Sequence, residues 1–185
     1  MPDWQAEAII LSVRPHGEGS AVISVLTADY GRHAGLVRGG ASSRMRGIIQ
    51  PGNRVAVSWR ARLSEQLGQM QIELVQSVSA LLLDSPLRLS GVASMCALLD
   101  GALPEREAQS GLFEGSAALL DVIVLDDDNA GWIEGYVRWE LGLLAAVGYR
   151  LDLARCVASG QTNDLAFVSP KSGGAVARHQ AGSFA

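Results

Sequence analysis

Short apolar runs, broken by glycine and proline, fill the first 80 residues. Glu7-Ala8-Ile9-Ile10-Leu11-Ser12-Val13 ends at Pro15-His16-Gly17, and Ala21-Val22-Ile23-Ser24-Val25-Leu26 ends at Asp29-Tyr30-Gly31. Arg32-His33-Ala34-Gly35-Leu36-Val37-Arg38 alternates loosely and stops at Gly39-Gly40. Arg54-Val55-Ala56-Val57-Ser58-Trp59-Arg60 alternates strictly, and Gln69-Met70-Gln71-Ile72-Glu73-Leu74-Val75 does the same. Strand side chains alternate between faces, so Val55, Val57 and Trp59 share one face and Arg54, Ala56, Ser58 and Arg60 the other. Five short strands with such punctuation predict a small all-β barrel or sandwich, and among the small barrels their number and spacing fit an OB-type barrel best. The connector over residues 41–50 reads as a loop or a short helix.

After Pro86 the period changes. Leu87, Leu89, Val92, Met95, Cys96 and Leu99 recur at helical spacing over about residues 86–103. Two more helices are expected, over about 109–125 and about 130–147. Asp84-Ser85-Pro86 opens the first and Gly148 closes the third. Asp126-Asp127-Asp128-Asn129 reads as a linker, because it lacks the alternating ligands of a calcium loop. Beyond Leu151 the pattern is irregular, with a hairpin expected from 164–168 and 175–178 and a disordered tail over 180–185. The fold expected is therefore α+β. An N-terminal five-stranded OB-type barrel over 1–80 precedes an α-helical domain over 81–185 that carries a small irregular β-hairpin insertion.

Charge sharpens this division. Residues 1–80 hold eight arginines against six acids; residues 81–185 hold seven basic groups against thirteen acids. Between Tyr30 and Ser64 lie Arg32, Arg38, Arg44, Arg46, Arg54, Arg60 and Arg62, with no acidic residue among them. Guanidinium presents a planar fork of donors suited to phosphate, so such a field is the footprint of a nucleic-acid surface. The plainer reading is a solvated polar face. Ser42-Ser43-Arg44-Met45-Arg46, directly after Gly39-Gly40, offers hydroxyls, backbone N–H groups and guanidiniums to phosphates. Trp59 is placed in the core, in phase with Val55 and Val57, although an aromatic on such a strand can also stack a base.

Catalytic patterns are missing. His16, His33 and His179 do not stand at metal-ligand spacing, and no phosphate-binding loop, nucleophile elbow or dinucleotide fingerprint occurs. No apolar run is long enough to span a bilayer, the N-terminus shows no signal peptide, and Cys96 and Cys156 do not suggest a disulfide framework. These features point to a reducing cytoplasm.

A set of segments then becomes recognisable in order. Trp4-Gln5-Ala6-Glu7-Ala8-Ile9-Ile10-Leu11, Gly17-Glu18-Gly19-Ser20, Leu26-Thr27-Ala28-Asp29-Tyr30-Gly31-Arg32, Val37-Arg38-Gly39-Gly40-Ala41 and Gln50-Pro51-Gly52 come first. Arg138-Trp139-Glu140-Leu141-Gly142-Leu143-Leu144, Val147-Gly148-Tyr149-Arg150-Leu151-Asp152 and Phe167-Val168-Ser169-Pro170-Lys171-Ser172-Gly173-Gly174 follow. The chain, from about Trp4 to about Arg178, resembles the RecO family of DNA repair and recombination mediators. The resemblance implies a non-catalytic protein that binds single- and double-stranded DNA and anneals complementary strands. It also implies that, with RecR, the protein helps load RecA onto DNA coated by the single-stranded-DNA-binding protein, in the cytoplasm and associated with the nucleoid. The DNA contacts expected are Arg32, Arg38, Arg44, Arg46, Arg60 and Arg62. For the acidic C-terminal tail of the single-stranded-DNA-binding protein, Arg88, Arg106 and Arg138 are expected. An alternative role is a protein-interaction scaffold whose main ligand is such an acidic peptide.

Two departures from the family pattern stand out. Some members hold zinc with four cysteines after the third helix, but only Cys156 and the distant His179 remain here, so no metal or other cofactor is expected. In its place, Leu165, Phe167, Val168 and Val176 are expected to form a small apolar cluster docked near Leu144 and Tyr149. Members also continue further with helix, so this chain is expected to be truncated at its C-terminus.

Overall fold

A computed structural model describes residues 2–126, 131–180 and 182 of the chain. It divides into two compact units, Met1–Tyr136 and Val137–Ala185.

The first unit is built on five strands: β1 (Asp3–His16), β2 (Ser20–Thr27), β3 (Gly31–Arg38), β4 (Arg54–Arg60) and β5 (Gln69–Gln76). β1 is twice as long as the apolar run Glu7–Val13, because alternation continues through Trp4 and Ala6. Its first half pairs with β4, from Asp3↔Arg60 to Ile9↔Arg54, and its second half pairs with β2, from Ile9↔Leu26 to His16↔Ser20. A register shift between Ile10 and Ser12 marks the crossing point. Ala8, Ile10, Ile23, Val25, Val37, Val55, Val57, Trp59 and Met70 form the core inside the strands. Ile9 and Leu11, of opposite phase, are buried as well. Helix α3 (Pro86–Ala102) lies against β1 on this side, and Cys96 Sγ donates to Ile10 O at 3.5 Å. That burial pushes the Cys96 thiol up to about 12.

The strand order is β1-β2-β3-β5-β4, closed through the β4–β1 pairing. The expectation of a five-stranded OB-type barrel is corrected at the β3–β5 side. There a single parallel pair, Leu36↔Gln69, joins the two strands, with Leu36 N donating to Gly68 O at 3.0 Å. The other four seams are antiparallel ladders of seven or eight pairs, so the strands form a curled sheet caught at one point rather than an evenly bonded barrel. Elsewhere on its outer edge, β3 is covered by the segment after α3. Arg106 N donates to Arg32 O at 2.8 Å, which blunts an edge that would otherwise be exposed.

The connector over 41–50 is helical: α1 (Ser43–Ile48) is capped by Ser42, whose Oγ accepts from Met45 N at 3.3 Å. Asn53 fixes α1 to the strands. Fully buried, it donates through Nδ2 to Ile48 O (3.0 Å) and Gly47 O (3.3 Å), and its Oδ1 accepts from Ser79 N (3.1 Å) in the short helix α2 (Val78–Leu81). Helices α3, α4 (Ser110–Leu125) and α5 (Gly131–Ala146) fall within about two residues of their expected bounds. Gly148, at φ +92°, follows α5 as expected. Of the expected Asp126–Asn129 linker, residues 127–129 lie outside the described residues; Asp126 Oδ2 accepts from Trp132 N at 2.8 Å. The 180–185 tail likewise lies outside them, apart from Gln180 and Gly182.

The second unit holds the expected hairpin, as β7 and β8, and adds a third strand to it. Its strands β6 (Asp152–Cys156), β7 (Leu165–Val168) and β8 (Gly174–Ala177) form a three-stranded sheet in the order β6-β8-β7, with β6 parallel to β8. Within this sheet the buried side chains are small ones, Cys156, Ala175 and Ala177, and Cys156 Sγ accepts from Ala177 N at 3.2 Å. The expected apolar cluster does not form the centre, since Val168 is 48% and Tyr149 71% exposed. The strands here are four or five residues long, too short for large side chains to meet around a core.

Candidate nucleic-acid interface

Alternation and register together create a polar grid on the outer face of β1, β4 and β5. Trp4, Val57, Trp59 and Met70 point inward, so their neighbours point out. The pairing aligns Asp3, Arg60 and Gln69 in one row, Gln5, Ser58 and Gln71 in the next, and Glu7, Ala56 and Glu73 in the third. The first two rows line a groove of about 640 Å³, together with Leu36–Arg38 of β3, Met45 of α1 and the intervening Trp4, Trp59, Met70 and Ile72. The groove lies over the β3–β5 junction, where the missing ladder leaves space.

Guanidiniums surround it. Arg38 and Arg60 line the groove, Arg44 and Arg46 are exposed on α1, and Arg62 is exposed just beyond β4. None of these five makes an ion pair among the described residues. Arg32 and Arg54 are placed differently. Arg32 Nε donates to Leu103 O at 2.7 Å, and its Nη1 lies 3.5 Å from Asp100 and 3.4 Å from Glu105, which ties β3 to the end of α3. Arg54 meets Asp121 of α4 through two hydrogen bonds, at 2.9 and 3.4 Å. Of the residues expected to receive an acidic tail, Arg88 is buried and Arg106 donates to Glu65 O and Gln66 O. Arg138, in the second unit, is exposed.

Trp4 and Trp59 belong to the groove's lining, and the aromatic residues there pack on one another. Trp4 stacks on Tyr30 (4.5 Å between ring centroids) and on Trp59 (5.8 Å), and His33 meets both tryptophans edge-on. Trp59 is a core residue, as its phase predicts; its Nε1 donates to Leu67 O at 2.9 Å. Burial, and after it the Arg106 guanidinium, pulls the His33 pKa down to about 4, so the ring is neutral at pH 7.

Sequence reasoning missed Gln5, Ser58, Gln69, Gln71 and Asn53. The alternation Gln69-Met70-Gln71-Ile72-Glu73 already separates the two faces of β5, but only the register shows which residues of β1 and β4 join them. Among the described residues no three His, Cys, Asp or Glu side chains gather as a metal site, and no helix is long and apolar enough to cross a membrane.

A curled sheet with a groove edged by exposed guanidiniums that make no ion pair among the described residues belongs to the class of binding modules for anionic chains. Comparison with known sequences makes this specific. Residues 1–78 match the family model described as recombination protein O N terminal, and residues 83–184 match recombination protein O C terminal. The chain belongs to the recombination protein O (RecO) family. Among its curated relatives, the DNA repair protein RecO of Rhodospirillum centenum is 51% identical over 94% of this chain and 69% of its own length. That of Cereibacter sphaeroides is 50% identical over 100% and 75%, and that of Rhodospirillum rubrum 45% identical over 96% and 71%.

Proposed function

We propose that the protein meets DNA through Arg38, Arg44, Arg46, Arg60 and Arg62, around the groove on the first unit. As a RecO family member it serves DNA repair and recombination as a mediator, not as an enzyme. In this reading it binds single- and double-stranded DNA and anneals complementary strands. With RecR, it helps load RecA onto DNA coated by the single-stranded-DNA-binding protein, whose acidic tail is a further partner, and its place is the cytoplasm, at the nucleoid. Arg32 supports the interface from behind by holding β3 to the helices.

The observation that carries this reading is the set of five exposed guanidiniums that make no ion pair among the described residues, gathered on a chain that is acidic as a whole. Annealing must tolerate any sequence, and contacts to phosphate carry none. Each arginine that neutralises a phosphate contributes somewhat under one unit to the slope of log affinity against log salt concentration. Replacing Arg44→Ala and Arg46→Ala together is expected to weaken binding at low salt and to flatten that slope by roughly 1.5 units. Filter binding with single- and double-stranded DNA across salt concentrations measures both. Equal affinity and slope for variant and wild type would remove α1 from the interface.

A further inference from the structure

We propose that Gln5, Ser58, Gln69 and Gln71 are further DNA-binding residues, which hydrogen-bond the sugar–phosphate backbone of one strand laid in the groove, and that Glu7 and Glu73 mark where the strand must leave it. This inference rests on the DNA-binding reading above.

Three observations carry it. The four residues are neutral and outward-facing, and they line the same groove as Arg38 and Arg60. Glutamine amide N–H groups and the serine hydroxyl donate to phosphate oxygens and sugars, which fixes register without reading sequence. The next row carries two carboxylates, Glu7 and Glu73, flanking Ala56. Neither glutamate lines the groove, whose polar grid ends where they begin. A phosphodiester strand gains from the first two rows and is repelled by the third, so its path is limited to the Arg38–Arg60 end. Asp3, opposite Arg60 across the β1–β4 pairing, moderates the outermost row.

The aromatic arrangement decides which part of the strand is held. Trp4 and Trp59 pack with Tyr30 and His33, and Trp59 is buried and committed to Leu67 O. Both tryptophans line the groove, but Trp59 is buried and Trp4 already stacks on Tyr30 and on Trp59, so neither gives a base a free ring face, and stacking is what base-gripping surfaces of this kind use. The groove therefore grips the backbone and leaves the bases free to pair, which is what an annealing protein requires.

The test uses the full chain and two labelled 30-residue probes, an oligothymidylate and an abasic oligomer with the same sugar–phosphate backbone. Gln5→Ala with Gln71→Ala is expected to weaken oligothymidylate binding about tenfold, the size expected for two lost hydrogen bonds. Because no counterion-releasing charge is lost, the salt slope stays at the wild-type value, unlike that of the arginine variants. The abasic oligomer is expected to bind within about threefold of oligothymidylate. Glu7→Gln with Glu73→Gln is expected to tighten binding, a gain that misfolding cannot produce. The proposal is overturned by unchanged affinity of the glutamine variant, by an abasic oligomer that fails to bind, or by a polyglutamate peptide that displaces DNA and binds more tightly. If wild type binds neither probe at low salt, the DNA-binding reading itself fails; if wild type binds and only the glutamine variant is silent, the groove assignment alone fails.

Discussion

His33 is a polar ring in an apolar place. It is buried between Trp4 and Trp59, and neither ring nitrogen has a hydrogen-bond partner among the described residues. In the unfolded chain the ring takes up a proton near pH 6.5, in the folded protein only near 4. Between those values the unfolded state binds more protons, so stability falls as pH drops from 6.5 toward 4, and above 6.5 this group contributes no pH dependence. Thermal melting across that window should show the loss, and His33→Leu should flatten it. A variant with the wild-type acid slope would place the acid sensitivity elsewhere. Arginine shows a related division at the same scale. Seven of them look alike in sequence, yet Arg32 and Arg54 are held by carboxylates from distant segments while five make no ion pair among the described residues. Sequence spacing cannot separate these groups, because Asp100 and Asp121 lie about 70 positions away and only the folded chain brings them close.

At the scale of elements, local periodicity was enough for the strands and the long helices, whose patterns repeat over several turns or pleats. It failed where structure depends on distant pairing. β6 has no alternation of its own and exists because β8 lies beside it, and the polar grid depends on the β1–β4–β5 register. The β2–β3 turn shows how much a single position can depend on a remote segment. Gly31 has φ +60°, and a Cβ there would collide with the backbone carbonyl of Glu107. Gly17, between β1 and β2, has φ +59° but open space around it. Gly17→Ala should therefore cost only the left-handed backbone penalty, about 1 kcal/mol. Gly31→Ala must also displace the 103–107 segment and should cost more than about 2 kcal/mol. Denaturant unfolding of the two variants measures the difference, and equal losses would mean that the segment yields freely.

At the scale of the whole first unit, four strand seams are ladders and the fifth is one rung. Its consequence is kinetic. Local openings cost little where few contacts must break together, so the β3–β5 junction is the gate through which the strands first part. The Leu36 amide, bonded to Gly68 O, should exchange with deuterium faster than the amides of the β1–β2 and β1–β4 ladders, by a margin that native-state exchange resolves. Equal protection would show that the junction opens only when everything else does. A strand bound across the groove would close that gate from outside, so DNA should slow Leu36 exchange more than that of any ladder amide. The rung then acts as a clock hand: its exchange rate counts how often the groove is empty.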